Sequence, residues 1–293
     1  MAEGIAVRVL ASGHTLRLTD KEPGKADALA AALSAMTEPD ADGKHPLITA
    51  RSVAATIAGA DLVVLALPYP LGRQLVRDQG AALSGTIVVD TCNPVDFSTF
   101  DSLLTSPGMS AAEEIAEANP AARVVKAFNT TFQEALVAGS VGGLPLDVFL
   151  AGDDQGAKDK VAALVEDCGM RPVDTGPLRR ARELEGFQLL HMTLQGPLGL
   201  DWRSAIKLLP LGKCKKCKCY VPSETERRIG YIPCHASNCQ AIDYRGGTRR
   251  LRADGGSRRR GRPASSVAVV PASRVERVSG SHHRGVRSEC LCL

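Results

Sequence analysis

Between His14 and Gly176 the chain alternates short β-branched runs with Ala-rich stretches whose apolar residues recur at helical spacing. The runs predict strands over Thr15–Leu18, Leu47–Thr49, Asp61–Leu67, Thr86–Asp90, Arg123–Phe128, Asp147–Leu150 and Arg171–Asp174. The stretches between them predict helices over Gly24–Ser34, Ser52–Ile57, Leu71–Leu83 and Gln155–Cys168, the last with Val161, Leu164 and Val165 on one face. Parallel strands cannot be joined by tight hairpins and need helical crossovers, so the alternation implies an α/β fold. Leu62–Leu67 and Ile87–Asp90 are apolar on both faces, as in strands covered by helices on either side, and are predicted to be central. Each runs into a loop with proline, Pro68-Tyr69-Pro70 and Asn93-Pro94. Ligands of open α/β sheets bind at the carboxyl ends of strands. Those loops are therefore either binding loops or simple strand stops, and the pattern leaves both readings open.

Beyond Pro210 the pattern stops. Residues 213–293 carry Cys-Lys-Lys-Cys-Lys-Cys and Arg258-Arg259-Arg260-Gly261-Arg262 but few large apolar residues, and read as a disordered basic extension. Residues 1–212 hold 18 Lys and Arg against 26 Asp and Glu, whereas residues 213–293 hold 18 against 6, so the overall charge of +4 conceals two different objects. Seven of the nine cysteines lie beyond residue 213, which leaves Cys92 and Cys168 in the first part, too few for a secreted disulfide scaffold. With no long apolar run and no leader pattern at the start, the expectation is a cytoplasmic protein without a membrane partner. In the extension, Cys214-x2-Cys217 and Cys234-x4-Cys239, with Cys219 and His235 nearby, distantly suggest a zinc site, but the second spacing is too loose to assign a metal. The Arg run lacks interleaved aromatics, so nucleic acid is not expected as a partner. Cys290-Leu291-Cys292-Leu293 formally fits a prenylation pattern with an atypical third position. The competing reading of the whole extension is an unselected stretch produced by a splice or frame error.

Six blocks in order then become specific: Ala60–Pro68, Val88–Pro94, Val124–Thr130, Ala151–Asp154, Gly176-Pro177-Leu178 with Ala181–Glu185, and Ser204–Leu208. Together they resemble the family of NADP oxidoreductases dependent on the deazaflavin coenzyme F420. A related nucleotide-binding half occurs in pyrroline-5-carboxylate reductases. The resemblance implies a Rossmann-like doubly wound parallel sheet over residues 1–135, a smaller α/β substrate-closing region over 136–212, and nothing for 213–293. It also implies NADP (as NADPH) as cofactor and coenzyme F420 or another planar small molecule as substrate, with a homodimer compatible. Hydride would pass directly between stacked rings, so no catalytic acid or base and no metal is assigned. The residues agree, since 1–212 show no Ser/His/Asp arrangement and no paired carboxylates with a clear partner.

Carried over by position, Lys21 falls where the family has a cation for the 2′-phosphate, while Asp20 beside it would favour NAD. The resemblance puts Leu67 and Pro68 on the nucleotide side of the crevice and Asn93, Pro94, Phe128, Asn129 and Thr130 nearer the nicotinamide. Lys21 as a solvated loop lysine and Asn129 as a capping residue are the structural alternatives. His191, in an apolar helical run, reads as a core or interface histidine, and Cys92 as a small residue beside the site. One departure is serious. Residues 1–14 align with the helix that follows the family's first strand and G-x-G-x-x-G loop, so the sheet is expected to be N-terminally truncated. In the order 3-2-1-4-5-6 the absent strand is central, and both neighbours should be left with unpaired ladder groups. The reading that competes with an NADP(H)-dependent oxidoreductase is a non-catalytic or inactive Rossmann-like remnant.

Overall fold

A computed structural model describes residues 1–20, 23–35, 47–49, 52–209, 212–213, 220–221 and 265–271. In chain order the elements are α1 (Ala2–Ala11), β1 (Thr15–Leu18), α2 (Pro23–Ser34), β2 (Leu47–Thr49), α3 (Val53–Ile57), β3 (Leu62–Ala66), α4 (Tyr69–Gln79), β4 (Ile87–Asp90), α5 (Ala111–Ala118), β5 (Arg123–Lys126) and α6 (Gln133–Ala138). They continue with β6 (Ser140–Val141), β7 (Leu144–Pro145), β8 (Asp147–Gly152), α7 (Gln155–Asp167), β9 (Arg171–Asp174), α8 (Ala181–Thr193), β10 (Gly212–Lys213), β11 (Tyr220–Val221) and β12 (Ser266–Pro271). Every strand expected from the hydrophobic pattern is present. Contacts gather the chain into two units, residues 1–206 with 263–293 and residues 207–262. Of the second, the described residues form one antiparallel pair, with Gly212 opposite Val221.

The first unit is built on an eight-stranded sheet in the order β2-β1-β12-β3-β4-β5-β8-β9. All neighbours run parallel except β5 and β8, which meet antiparallel at Val125 and Gly152. That reversal follows α6 and the small β6–β7 hairpin. Alternate residues of each central strand enter opposite cores, as a period of two requires. Leu62, Val64, Val267 and Val269 pack with α1, α2, α6 and α7, while Val63, Leu65, Ala268 and Val270 pack with α3, α4 and α5. Apolar residues on both faces are thus explained by helices on both faces. Three helix starts are sealed by their own sequence: Ser52 Oγ accepts from Ala55 N at 3.2 Å on α3, Ser110 and Glu113 close a capping box on α5, and Asp154 accepts from Ala157 N at 2.6 Å on α7.

One expectation is overturned. The gap between β1 and β3 is filled by β12, which pairs Val267 to Leu16 on one side and to Leu62 on the other. No open ladder remains there. The stretch Ser-Val-Ala-Val-Val-Pro gives no strand signal in the sequence because it sits in an Arg-rich window whose average composition masks a five-residue apolar run. Its partners also lie some 200 residues away in sequence, as in the bond from Ser266 to Asp61, and such pairing is invisible to a local pattern. The motifs of the extension weighed for zinc, phosphate binding or a lipid and not assigned, from Cys214 to Cys219, Cys234 to Cys239, Arg258 to Arg262 and Cys290 to Leu293, lie outside the described residues.

Candidate functional site

At the carboxyl ends of β3, β4 and β5 the chain turns three times, and these turns bring most of the expected residues together. After β3, Leu67 and Pro68 lead into α4, where the Pro68 carbonyl accepts from Leu71 N and Gly72 N at 3.0 Å. Leu67 is half-buried against the α4–α5 core. After β4, Thr91 Oγ1 donates to Leu65 O at 3.0 Å, tying that end to its neighbour before Asn93 and Pro94. After β5 the backbone turns at Phe128, whose φ of 63° is left-handed and uncommon for a bulky residue. The turn is held because Thr131 N and Thr131 Oγ1 both donate to the Phe128 carbonyl, at 3.0 and 2.6 Å, and because the Phe128 ring lies in the core.

The two asparagines expected near the nicotinamide meet directly. Asn93 Nδ2 donates to Asn129 O at 2.9 Å, and Asn129 Nδ2 donates to Asn93 Oδ1 at 3.0 Å and to Leu184 O at 3.2 Å. The pair therefore joins the ends of β4 and β5 to α8. Asn129 and Thr130 are buried, yet Asn129 Oδ1 and Thr130 Oγ1 have no hydrogen-bond partner among the described residues. Unpaired buried polar atoms cost about 1–3 kcal/mol each and call for an explanation. Lys21 lies outside the described residues, and Asp20 is buried at the end of β1.

Beneath the asparagines lies a charged cluster that corrects the expectation of no partnered carboxylates. Lys126 Nζ donates to Asp90 Oδ2 at 2.8 Å, to Glu185 Oε1 at 2.7 Å and to Cys92 O at 2.6 Å, and all three charged side chains are 0% exposed. Glu185 also accepts from Ala111 N and Ala112 N at 3.0 and 3.4 Å, at the start of α5 where the helix dipole favours an anion. Burial disfavours the Lys126 ammonium, but the two carboxylates outweigh it and hold the lysine protonated, with its pKa raised. Burial and the nearby Asp90 push the Glu185 carboxyl above its ordinary range despite the lysine. A single cation faces both carboxylates, and Asp90 therefore works against ionisation of Glu185. Burial, with Asp90, raises the Cys92 thiol well above its ordinary value, so it is no nucleophile at neutral pH. The signal for the cluster was available: a lysine ending a strand apolar on both faces, Val124-Val125-Lys126-Ala127, can be buried only with an anion beside it.

His191 stacks on Phe132 with centroids 4.6 Å apart, and Trp202 meets the same ring edge-on at 5.3 Å. Its Nε2 lies 2.8 Å from Ser204 Oγ and its Nδ1 3.1 Å from Gln188 Oε1. Burial lowers its pKa. It is a packed histidine. Among the described residues no three His, Cys, Asp or Glu side chains are grouped to hold a metal, and no helix is long and apolar enough to cross a membrane.

Comparison with known proteins agrees with this arrangement. The family described as NADP oxidoreductase, coenzyme F420-dependent, matches residues 1–94. An F420-dependent NADP reductase of Methanocaldococcus jannaschii is 29% identical over 131 residues, 43% of this chain and 58% of that protein. The metalloreductase STEAP3 of Rattus norvegicus is 37% identical over 107 residues, 36% of this chain and 21% of that protein. The chain thus spans less than two thirds of either curated relative. A solved structure from Arthrobacter sp. FB24, provisionally named an F420-dependent NADP reductase, superposes with a TM-score of 0.57 at 30% identity, covering 67% of this chain and 90% of that one. The hypothetical protein SMa0349 of Sinorhizobium meliloti gives 0.52 at 29% identity over 60% and 80%. A likeness of that identity over nine-tenths of a solved relative, on the same mostly parallel sheet, places the chain in the family of F420-dependent NADP oxidoreductases.

Proposed function

We propose that this chain is an NADP(H)-dependent oxidoreductase that passes a hydride between nicotinamide and a planar small-molecule acceptor such as the deazaflavin coenzyme F420. The observation that carries the reading is the asparagine pair at the ends of β4 and β5, with Asn129 Oδ1 and Thr130 Oγ1 buried and without partners. An amide acceptor and a hydroxyl on consecutive residues are the kinds of group that pair with a carboxamide, which offers one donor and one acceptor. No G-x-G occurs anywhere in the chain.

Bound NADPH would supply the hydride, becoming NADP⁺ as the acceptor gains two electrons and takes its proton from solvent. What the chain supplies is position. The Lys126 cluster fixes the floor, the Asn93–Asn129 pair fixes the two turns above it, and the Phe128 turn keeps Asn129 and Thr130 from swinging away. Holding reactants in near-attack geometry can account for about 7–11 kcal/mol of a barrier, so this reaction needs no acid or base from the protein. Under the same proposal Lys21 meets the 2′-phosphate, Leu67, Pro68 and Pro94 bound the crevice, and a homodimer forms on the side of α8 and the following turn where Phe187, Leu190, Leu194 and Leu198 are exposed.

Titrating the full chain with NADPH and NADH, then following loss of the reduced nucleotide on adding oxidised F420, tests the reading. Saturable NADPH binding with turnover is expected. Absence of NADPH binding would leave the inactive reading in its place.

A further inference from the structure

We infer that the gap between β1 and β3 is a strand-acceptor site, which takes an extended apolar hexapeptide in parallel on both edges and is filled by Ser266–Pro271 as a separable insert. Four consecutive residues of β12, Val267 to Val270, are buried, and they divide evenly between the two cores. Both edges are paired in register, Thr15 to Leu18 along one side and Leu62 to Ala66 along the other. An insert of this kind would satisfy two facing rows of backbone groups that otherwise lie unpaired inside a sheet.

The mouth of the gap recognises backbone. His14 Nδ1 accepts from Ser265 N at 2.8 Å and Asp61 Oδ2 accepts from Ser266 N at 2.7 Å, so the amide just before the insert and the first amide within it meet side-chain acceptors from either wall. Thr15 N and Asp61 N donate back to Ser265 O and Ser266 O at 3.3 and 2.9 Å. For His14 to accept at Nδ1 its proton must sit on Nε2, the nitrogen 3.4 Å from Asp167 Oδ2. The selectivity of the site then comes from side-chain size. Ala268 lies between α3 and the β3 ladder, where a long or charged side chain would be buried without a partner.

The experiment uses the full chain with a specific protease sequence inserted between Gly255 and Gly256. In the uncut protein the amides of Val267–Val270 should exchange with solvent about as slowly as those of Val63–Leu65, at least about 100-fold slower than an unstructured segment. After cleavage the piece carrying Ser266–Pro271 should remain bound through size-exclusion chromatography. An excess of free peptide spanning Ser265–Pro271 should displace it, whereas the same peptide with Ala268→Arg should not. If the body aggregates on cleavage, rescue by the first peptide and not by the second supports the site, and failure of both to rescue overturns it. Fast exchange of Val267–Val270 in the uncut chain, or release of the piece while the body keeps its cooperative melt, also overturns it. None of these readouts depends on nucleotide, so the result is separate from the fate of the proposed oxidoreductase activity.

Discussion

Lys126 Nζ donates to Glu185 Oε1 at 2.7 Å and so fastens the end of β5 to α8, the helix whose Leu184 carbonyl also receives Asn129. A charge pair sealed from water holds an element strongly only while both partners remain. Removing one leaves the other buried and unpaired, at a cost of about 3–5 kcal/mol.

Lys126→Met should therefore destabilise the fold by about that amount at neutral pH, because it strands both Asp90 and Glu185. The loss should shrink as the pH falls. Carboxyls buried without a cation have folded-state pKa values above their unfolded ones, so the fold is relatively favoured below the unfolded value and loses stability as pH rises through the folded one. Glu185→Gln should behave differently. It removes one carboxylate but keeps a single acceptor oxygen where Glu185 has two, so either Lys126 or Ala111 N loses its partner, and the loss at neutral pH should be about 1–3 kcal/mol, smaller than that of Lys126→Met. Denaturant melts of both variants at pH 5 and pH 7.5 check the contrast, and equal losses for the two at both pH values would refute it.

His191 gives an opposite dependence on pH. Burial lowers its pKa from the ordinary 6.5, so the unfolded chain takes the proton first as the pH drops. The stability it contributes is complete above its unfolded pKa, is lost as pH falls through the window below, and levels off once the folded form is protonated as well. His191→Gln should flatten the fall in Tm below about pH 6.5 relative to the parent. Parallel curves for the two proteins would show that His191 does not titrate between folding states.

The seven predicted strands were legible because a strand buried on both faces must be a continuous apolar run, and Leu62–Leu67 and Ile87–Asp90 are such runs. The turns that hold Asn93 and Asn129 were legible as the ends of Ile87–Asp90 and Arg123–Phe128. The antiparallel join of β8 was not, because Asp147–Leu150 reads the same in either direction and its orientation depends on where α6 and the hairpin send the chain. Of the Asp90–Lys126–Glu185 cluster only Lys126 carried a signal, as a lysine ending a strand apolar on both faces, while the identity of its partners was hidden because they lie on two other elements. β12 was missed for the same reason at greater range, since only the sheet reveals that a gap exists for Val267–Val270 to fill.

Choice of nucleotide should rest on Lys21. If its ammonium meets the 2′-phosphate, Lys21→Ala should weaken NADPH binding by about 1.5–3 kcal/mol, the worth of a hydrogen bond to a charged group, and leave NADH nearly unchanged. Isothermal titration with both nucleotides separates this from a general effect. Equal weakening of the two would pass the role to Asp20, buried at the end of β1, and with it a preference for NAD.

The asparagine pair makes the sharpest prediction for the chemistry. Asn129→Ala deletes two donated bonds, to Asn93 Oδ1 and Leu184 O, while Asn93→Ala deletes the donation to Asn129 O and removes the acceptor for Asn129 Nδ2. Because the two side chains share one of these bonds, the double variant should lose less stability than the sum of the singles, by about 0.5–1.5 kcal/mol. The kinetic effect should be lopsided. Asn129 Oδ1 is the orphaned acceptor, so Asn129→Ala removes both the contact offered to the carboxamide and the support of the turn, whereas Asn93→Ala removes support alone. A reacting ring misplaced by about 1 Å can lose about 100-fold in rate, so Asn129→Ala should lower kcat by one to two orders of magnitude and Asn93→Ala by less. NADPH affinity, set largely by the phosphates, should move little in either variant. Equal kcat for parent and Asn129→Ala, in a protein that still binds NADPH, would remove Asn129 from the site and move the nicotinamide to another part of the crevice.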